Sequence, residues 1–365
     1  MSDHTARAAV LASFDTPFEV RDLEVGRPDE GGAIVSVTHG GICGTDLHLQ
    51  HGRLPVPLPL VFGHEGVGRI EELHGEVADA SGARLEVGDH VTWASSIPCG
   101  SCRACRVDGQ RTLCPARRIY GINQRADVPP YLSGSWGERI VLQPGSTIVR
   151  LDERVSPRAA IALGCAGPTA VHGLEQLAGH HLGTVVVQGA GPVGIAVCLF
   201  ARLAGAERIV LIGGPSARIE VARDNGVADD YVNLTVIADP EARREAVEGL
   251  LGGAADTVIE AAGVPAAVAE SLDLVRLGGA VLVLGQYTDH GPTSLNPHLI
   301  TRKQLRVHGS WAFAERQFLR FVRALPRLDA GLDLASLVTP FPLDEVNDAI
   351  SAVAEGRVVK AALNP

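Results

Sequence analysis

Three groups of residues carry chemistry by type and spacing. The stretch CGSCRACRVDGQRTLC places Cys99, Cys102, Cys105 and Cys114 close together. Thiolate sulfur is a strong zinc ligand, and repeated C-x-x-C spacing lets neighbouring sulfurs face one centre. The segment VVVQGAGPVG sets Gly189, Gly191 and Gly194 in G-x-G-x-x-G spacing directly after an apolar run. Such a turn suits a dinucleotide: the first glycine permits the turn, the second lets backbone approach a pyrophosphate, and the third lets helix and strand pack closely. Pro192 and Val193 complete the turn and open a helix whose N-terminus favours phosphate. The third group is scattered. GGICGTDLHLQ holds Cys43, Thr45, Asp46 and His48, VFGHEGVG holds His64 and Glu65, and ALGCAGPTA holds Cys165. Thiol, imidazole and carboxylate are metal donors, but taken singly a small cysteine also suits a core.

These groups need elements to position them. Up to about residue 150 the chain alternates short β-branched runs with Gly- and Pro-rich turns, the pattern of an irregular, mostly β domain. Around Pro157 a helix begins, with Ser156 as its cap. Then TVVVQGAG, RIVLIGG, DTVIEAAG and AVLVLGQY read as buried strands separated by helical segments. Continuous apolar strands alternating with helices give βαβ units and a parallel sheet covered on both faces. After about residue 305 the texture is mixed again, as if the chain rejoins its first domain. At 365 residues two domains are expected, with a ligand cleft between them.

The second strand of the alternating half bears on coenzyme choice. An NAD site usually has an acid about 20 residues beyond the glycine turn, bonding the ribose hydroxyls. Here that place holds Gly213 and Gly214. Arg218 is the nearest base and can meet a ribose hydroxyl or a 2′-phosphate, so NAD and NADP both stay open.

Bulk properties exclude some functions. The net charge of −10 argues against nucleic acid or an anionic membrane surface as a partner. No run of ~18 apolar residues is present, and the start lacks a signal-peptide pattern. A cytoplasmic location is expected. In a reducing compartment seven cysteines, an odd number, favour metal ligation over disulfides. Cys198 lies within an apolar helix and reads as core.

In order along nearly the whole chain, GICGTDLHLQHG, GHEGVGRI, VGDHV, CGSCRACRVDGQRTLCP, GAGPVG and GGAVLVLG resemble the zinc-dependent medium-chain alcohol dehydrogenases. The resemblance implies an α/β chain joining a GroES-like β catalytic domain to a Rossmann domain with a doubly wound parallel sheet. It sets the catalytic domain at residues 1–162, the cofactor domain at 163–308 and a C-terminal return at 309–365. It implies two Zn²⁺ per chain. Cys43, His64 and Cys165 would hold a catalytic zinc, while Cys99, Cys102, Cys105 and Cys114 would form a closed structural site. Glu65 would stand beside the metal and Asp46 would orient the ligand histidine. Thr45 and His48 would relay the proton. Thr169, Leu284 and Lys360 would join the glycine turn in binding NAD or NADP, with Lys360 on the pyrophosphate. Between Cys105 and Cys114 this chain has one residue more than is usual, so that loop is expected to bulge.

The reaction implied is the reversible interconversion of an alcohol and its aldehyde or ketone by hydride transfer, in a homodimer or homotetramer. Ser95, Trp136 and Trp311 match pocket positions, each with core or interface packing as its alternative. A zinc-independent quinone or enone reductase would share the fold but lack the Cys43, His64 and Cys165 set. A non-catalytic dinucleotide-binding protein would have no need of Thr45 and His48.

Overall fold

The computed structural model describes residues 4–365. These form two compact units, one made of residues 4–165 and 314–365, the other of residues 166–313. The second is therefore an insertion into the chain of the first.

The first unit is mainly antiparallel. The strand Gly32–Ile42 is its spine, flanked by Gly66–His74 on one side and by Lys360–Asn364 on the other. The registers matter for chemistry. Gly40 lies opposite Gly66, and Ile42 lies opposite Ala361. The end of the spine strand thus brings Cys43, Glu65 and Lys360 to one place from three distant parts of the sequence. Beneath it, Phe18, Phe62, Trp136 and Leu363 form a buried apolar cluster, and Trp93 and Tyr120 anchor a second one.

The second unit is the doubly wound parallel sheet expected from the alternation. Its six strands run in the order Asp230–Asn233, Arg208–Gly213, Thr184–Gln188, Ala255–Glu260, Val275–Val283 and Arg306–Gly309. All neighbours are parallel. The central strands are apolar along their length because helices cover both faces: Val186, Val210, Val258 and Val281 pack in one core with Val247 and Leu272. Burying each such side chain stabilises the unit by about 1.5–3 kcal/mol. Cys198 is buried within the helix Pro192–Leu203, as expected. Among the described residues no helix is long and apolar enough to cross a membrane.

Candidate active site

Cys43 stands at the N-cap of the short helix Gly44–Gln50. Its backbone N–H donates to Asp46 Oδ2 at 2.8 Å, which fixes the first turn. The other carboxylate oxygen, Oδ1, lies 3.2 Å from His64 Nδ1, and both side chains are buried. One aspartate therefore holds the loop of Cys43 and orients His64. Among the described residues His64 Nε2 is buried with no hydrogen-bond partner. The ligand atoms of Cys43, His64, Glu65 and Cys165 all lie within 4.8 Å of one another.

Protonation within this cluster follows from contact and burial. The Cys165 thiol and the His64 imidazole draw the Cys43 thiol well below its ordinary pKa, against the effect of burial. Cys165 is pushed well above it by the Cys43 thiolate and by burial. Burial disfavours a charged His64, but the Asp46 carboxylate outweighs it and the pKa rises. Two neighbouring thiols beside an oriented imidazole form a soft donor set that fits zinc.

Glu65 is buried beside these donors, and Lys360 Nζ donates to its two oxygens at 2.7 and 2.6 Å. Burial raises the Glu65 carboxyl even so. The wall around it is backbone: a Cβ on Gly41 or Gly164 would come 2.9 or 2.7 Å from Oε2. Lys360 was expected on a pyrophosphate; in this structure its ammonium is committed to Glu65. Thr45 and His48 lie three residues apart on the same short helix, both half-buried. Thr45 Oγ1 is 3.8 Å from Cys43 Sγ.

Trp136 departs from its expected place at a substrate pocket. It is fully buried, packed on Phe18 and Phe62, with Nε1–H donating 2.9 Å to Gly41 O. It is a core residue that props the loop before Cys43. Ser95 is also buried, and its carbonyl accepts from Tyr120 N–H. Trp311 belongs to the second unit, where it is partly exposed and stacks on Tyr287 with ring centres 4.5 Å apart.

The four remaining clustered cysteines are free thiols whose sulfurs also lie within 4.8 Å of one another. Cys102 N–H donates to Cys99 Sγ at 3.4 Å, and Cys99 N–H to Cys114 Sγ at 3.3 Å. Hydrogen bonds from Ser101 and Cys102 lower the Cys99 thiol to about 5, while Cys105 is raised to about 12 by burial and by its neighbour Cys102. Between Cys105 and Cys114 the chain turns at Gly109, at a φ of +67°, and makes a short 3-10 turn over Arg111–Leu113. Cys114 still reaches the other three.

In the second unit the glycine turn has the geometry its spacing implies. Gly191 is the N-cap of the helix Pro192–Leu203, and the space where its Cβ would stand is open. A Cβ on Gly194 would sit 1.7 Å from Gly189 O, so no side chain is possible there. Gly213 ends the next strand, and a Cβ on it would come 2.4 Å from Ala190 Cβ. That contact leaves little room for a side chain at this position. Gly214 has only ordinary contacts, and Arg218 is half-buried, its pKa lowered by that burial. Thr169 is half-buried in the helix Ala166–Gln176, and Leu284 is buried against Gly173. The sequence reading passed over Glu260, which is fully buried at the end of the strand Ala255–Glu260. Its signal was an acid closing an otherwise apolar run.

Comparison with known proteins places this geometry in a family. The family model described as alcohol dehydrogenase GroES-like domain matches residues 29–153, and that described as zinc-binding dehydrogenase matches residues 192–327. The chain is 33% identical to 5-exo-hydroxycamphor dehydrogenase of Pseudomonas putida, across 98% of each protein. It is 31% identical to L-threonine 3-dehydrogenase of Saccharopolyspora erythraea, again across 98% of each. A crystal structure of an alcohol dehydrogenase from Thermotoga maritima superposes with a TM-score of 0.93 at 33% identity, covering 99% of both chains. With those matches at both ends of the chain, the protein belongs to the zinc-type medium-chain dehydrogenase/reductase family.

Proposed function

We propose that this NAD(P)-dependent alcohol oxidoreductase works with zinc held by Cys43, His64 and Cys165, and with a second, closed zinc held by Cys99, Cys102, Cys105 and Cys114. The observation that carries this is the convergence of two thiols with the unpartnered His64 Nε2, whose ring Asp46 orients. When bound, zinc supplies Lewis acidity toward the substrate oxygen.

The chain's own residues do the rest. Thr45 Oγ1 would accept the substrate hydroxyl proton while releasing its own toward His48, on the same helix, which would pass it to solvent. Lys360 neutralises Glu65, so the cluster does not carry three uncompensated anionic groups. Gly189, Gly191, Pro192, Val193 and Gly194 cradle the coenzyme pyrophosphate, with Thr169 and Leu284 nearer its reactive end. Arg218, with Gly213 and Gly214 leaving room beside it, meets the adenosine ribose or its phosphate. Ser95 is the substrate-pocket candidate within the first unit and Trp311 the one within the second. Free cysteines fit a reducing cytoplasm.

The relatives' names point to secondary alcohols as a first choice of substrate, since 5-exo-hydroxycamphor and L-threonine are both oxidised at a secondary carbinol. The decisive experiment assays primary, secondary and cyclic alcohols with NAD and with NADP, alongside metal content. About two zinc per chain and turnover with at least one secondary alcohol are expected. One zinc per chain, insensitive to Cys43→Ser, would remove the catalytic-metal assignment.

A further inference from the structure

Glu260 takes no part in the chemistry described so far, yet it is fully buried. Among the described residues no lysine or arginine pairs with it. Backbone N–H groups satisfy it instead. Oε1 accepts from Ala262 N–H at 2.8 Å and Gly263 N–H at 2.7 Å, and Oε2 accepts at 3.1 Å from Gly285 N–H, which it shares with the Glu260 backbone carbonyl, also at 3.1 Å. A buried carboxylate without a cation is costly unless its hydrogen bonds are complete. Its retention calls for a reason beyond packing.

The three donors belong to two loops. Ala262 and Gly263 follow the strand Ala255–Glu260, and Gly285 follows the strand Val275–Val283. The loops touch backbone to backbone: a Cβ on Gly285 would come 2.3 Å from Gly263 N, and one on Gly263 would come 2.9 Å from Gly285 O. The first loop also abuts the glycine turn. A Cβ on Gly189 would lie 2.8 Å from the Ala261 carbonyl and 2.9 Å from Ala262 N, and Ala261 N–H donates 2.8 Å to Gln188 O. Three neighbouring loops thus meet at the carboxyl edge of the parallel sheet, two of them on the one carboxylate. In open α/β sheets that edge is where the ligand binds.

We propose that Glu260 is a positioning residue for the coenzyme: its carboxylate ties the loop 261–264 to the loop 284–286 and so sets the floor beside the glycine turn. The inference rests on the reading that this turn binds NAD(P). Two ionised oxygens suit the task because both must accept. A glutamine has one acceptor oxygen, so with Ala262 and Gly263 still served its NH₂ would face the Gly285 N–H, donor against donor.

The test is Glu260→Gln, with coenzyme affinity read by fluorescence titration and kinetics read at saturating coenzyme. Coenzyme Kd is expected to rise about tenfold, with kcat and the alcohol KM within about twofold of the parent and zinc content unchanged. An unchanged Kd in the folded variant overturns the proposal, as does a lowered Tm with Kd unaltered, which marks a purely structural role. Should the variant not fold, hydrogen exchange on the unaltered protein decides. Coenzyme is expected to slow exchange about tenfold in 261–264 and 284–286, and no change there overturns the proposal. Failure of the unaltered protein to bind either NAD or NADP would instead count against the coenzyme reading itself.

Discussion

Lys360 reaches Glu65 across 295 residues of chain, and both side chains are almost wholly buried. Breaking a buried pair by removing one partner usually costs about 3–5 kcal/mol, because the other charge is left uncompensated. Here burial already raises the Glu65 carboxyl, so losing the lysine will raise it further. A carboxyl whose folded pKa lies above its unfolded value binds more protons in the native state, so stability falls as pH rises between the two values. Lys360→Met is therefore expected to lose about 3 kcal/mol at pH 8 and distinctly less at pH 5, measured by urea unfolding. The double variant Glu65→Gln, Lys360→Met should recover most of the loss. Equal losses at both pH values, or simple additivity in the double variant, would show that the pair is not what holds this corner. No local pattern could reveal this contact. Lys360 lies in an ordinary apolar stretch, and only sheet register sets it beside Glu65.

At the scale of elements, the glycine turn and the second strand illustrate why some features read directly from sequence. A turn followed by a helix is specified within ten residues, by backbone freedom and sterics that depend on glycine itself. The missing acid at Gly213 was equally visible, but the crowding there was not: the Ala190 Cβ occupies the space a side chain would need. Gly213→Asp is accordingly expected to cost about 1–3 kcal/mol by overpacking, and Ala190→Gly in the same chain should relieve it. A melting curve for each variant checks this, and an unperturbed Gly213→Asp would refute the steric explanation. The clustered cysteines and His64 were legible as types, and their convergence came from matching a long motif order. Trp136 was not legible. An aromatic residue near a candidate site has the same appearance in sequence whether it lines a pocket or fills the core, and here the Phe18–Phe62 cluster claims it. Glu260 was overlooked because one acid at the end of an apolar strand resembles a solvated strand end until the loops above it are known.

For the whole molecule, the strand Arg306–Gly309 is the outer edge of the parallel sheet, and Val307 is 44% exposed on it. An unpaired edge with an exposed β-branched residue is a template for another strand. Light scattering is expected to find a dimer or tetramer, with Val307→Lys shifting it toward monomer; a monomeric parent protein would remove this strand as an interface. The other whole-chain feature is the insertion of residues 166–313 within the first unit. Its parallel sheet is assembled from one continuous segment, whereas the spine strand must wait for Lys360–Asn364, more than 300 residues later, to complete its pairing. Contacts so distant in sequence form late, because loop closure must come before they stabilise anything. The order of events during maturation follows. On that ground the parallel sheet is expected to form first and the thiols of Cys43 and Cys165 to stay open to oxidants until the final strand docks; timed thiol labelling during refolding checks this, and early protection of both thiols would refute it.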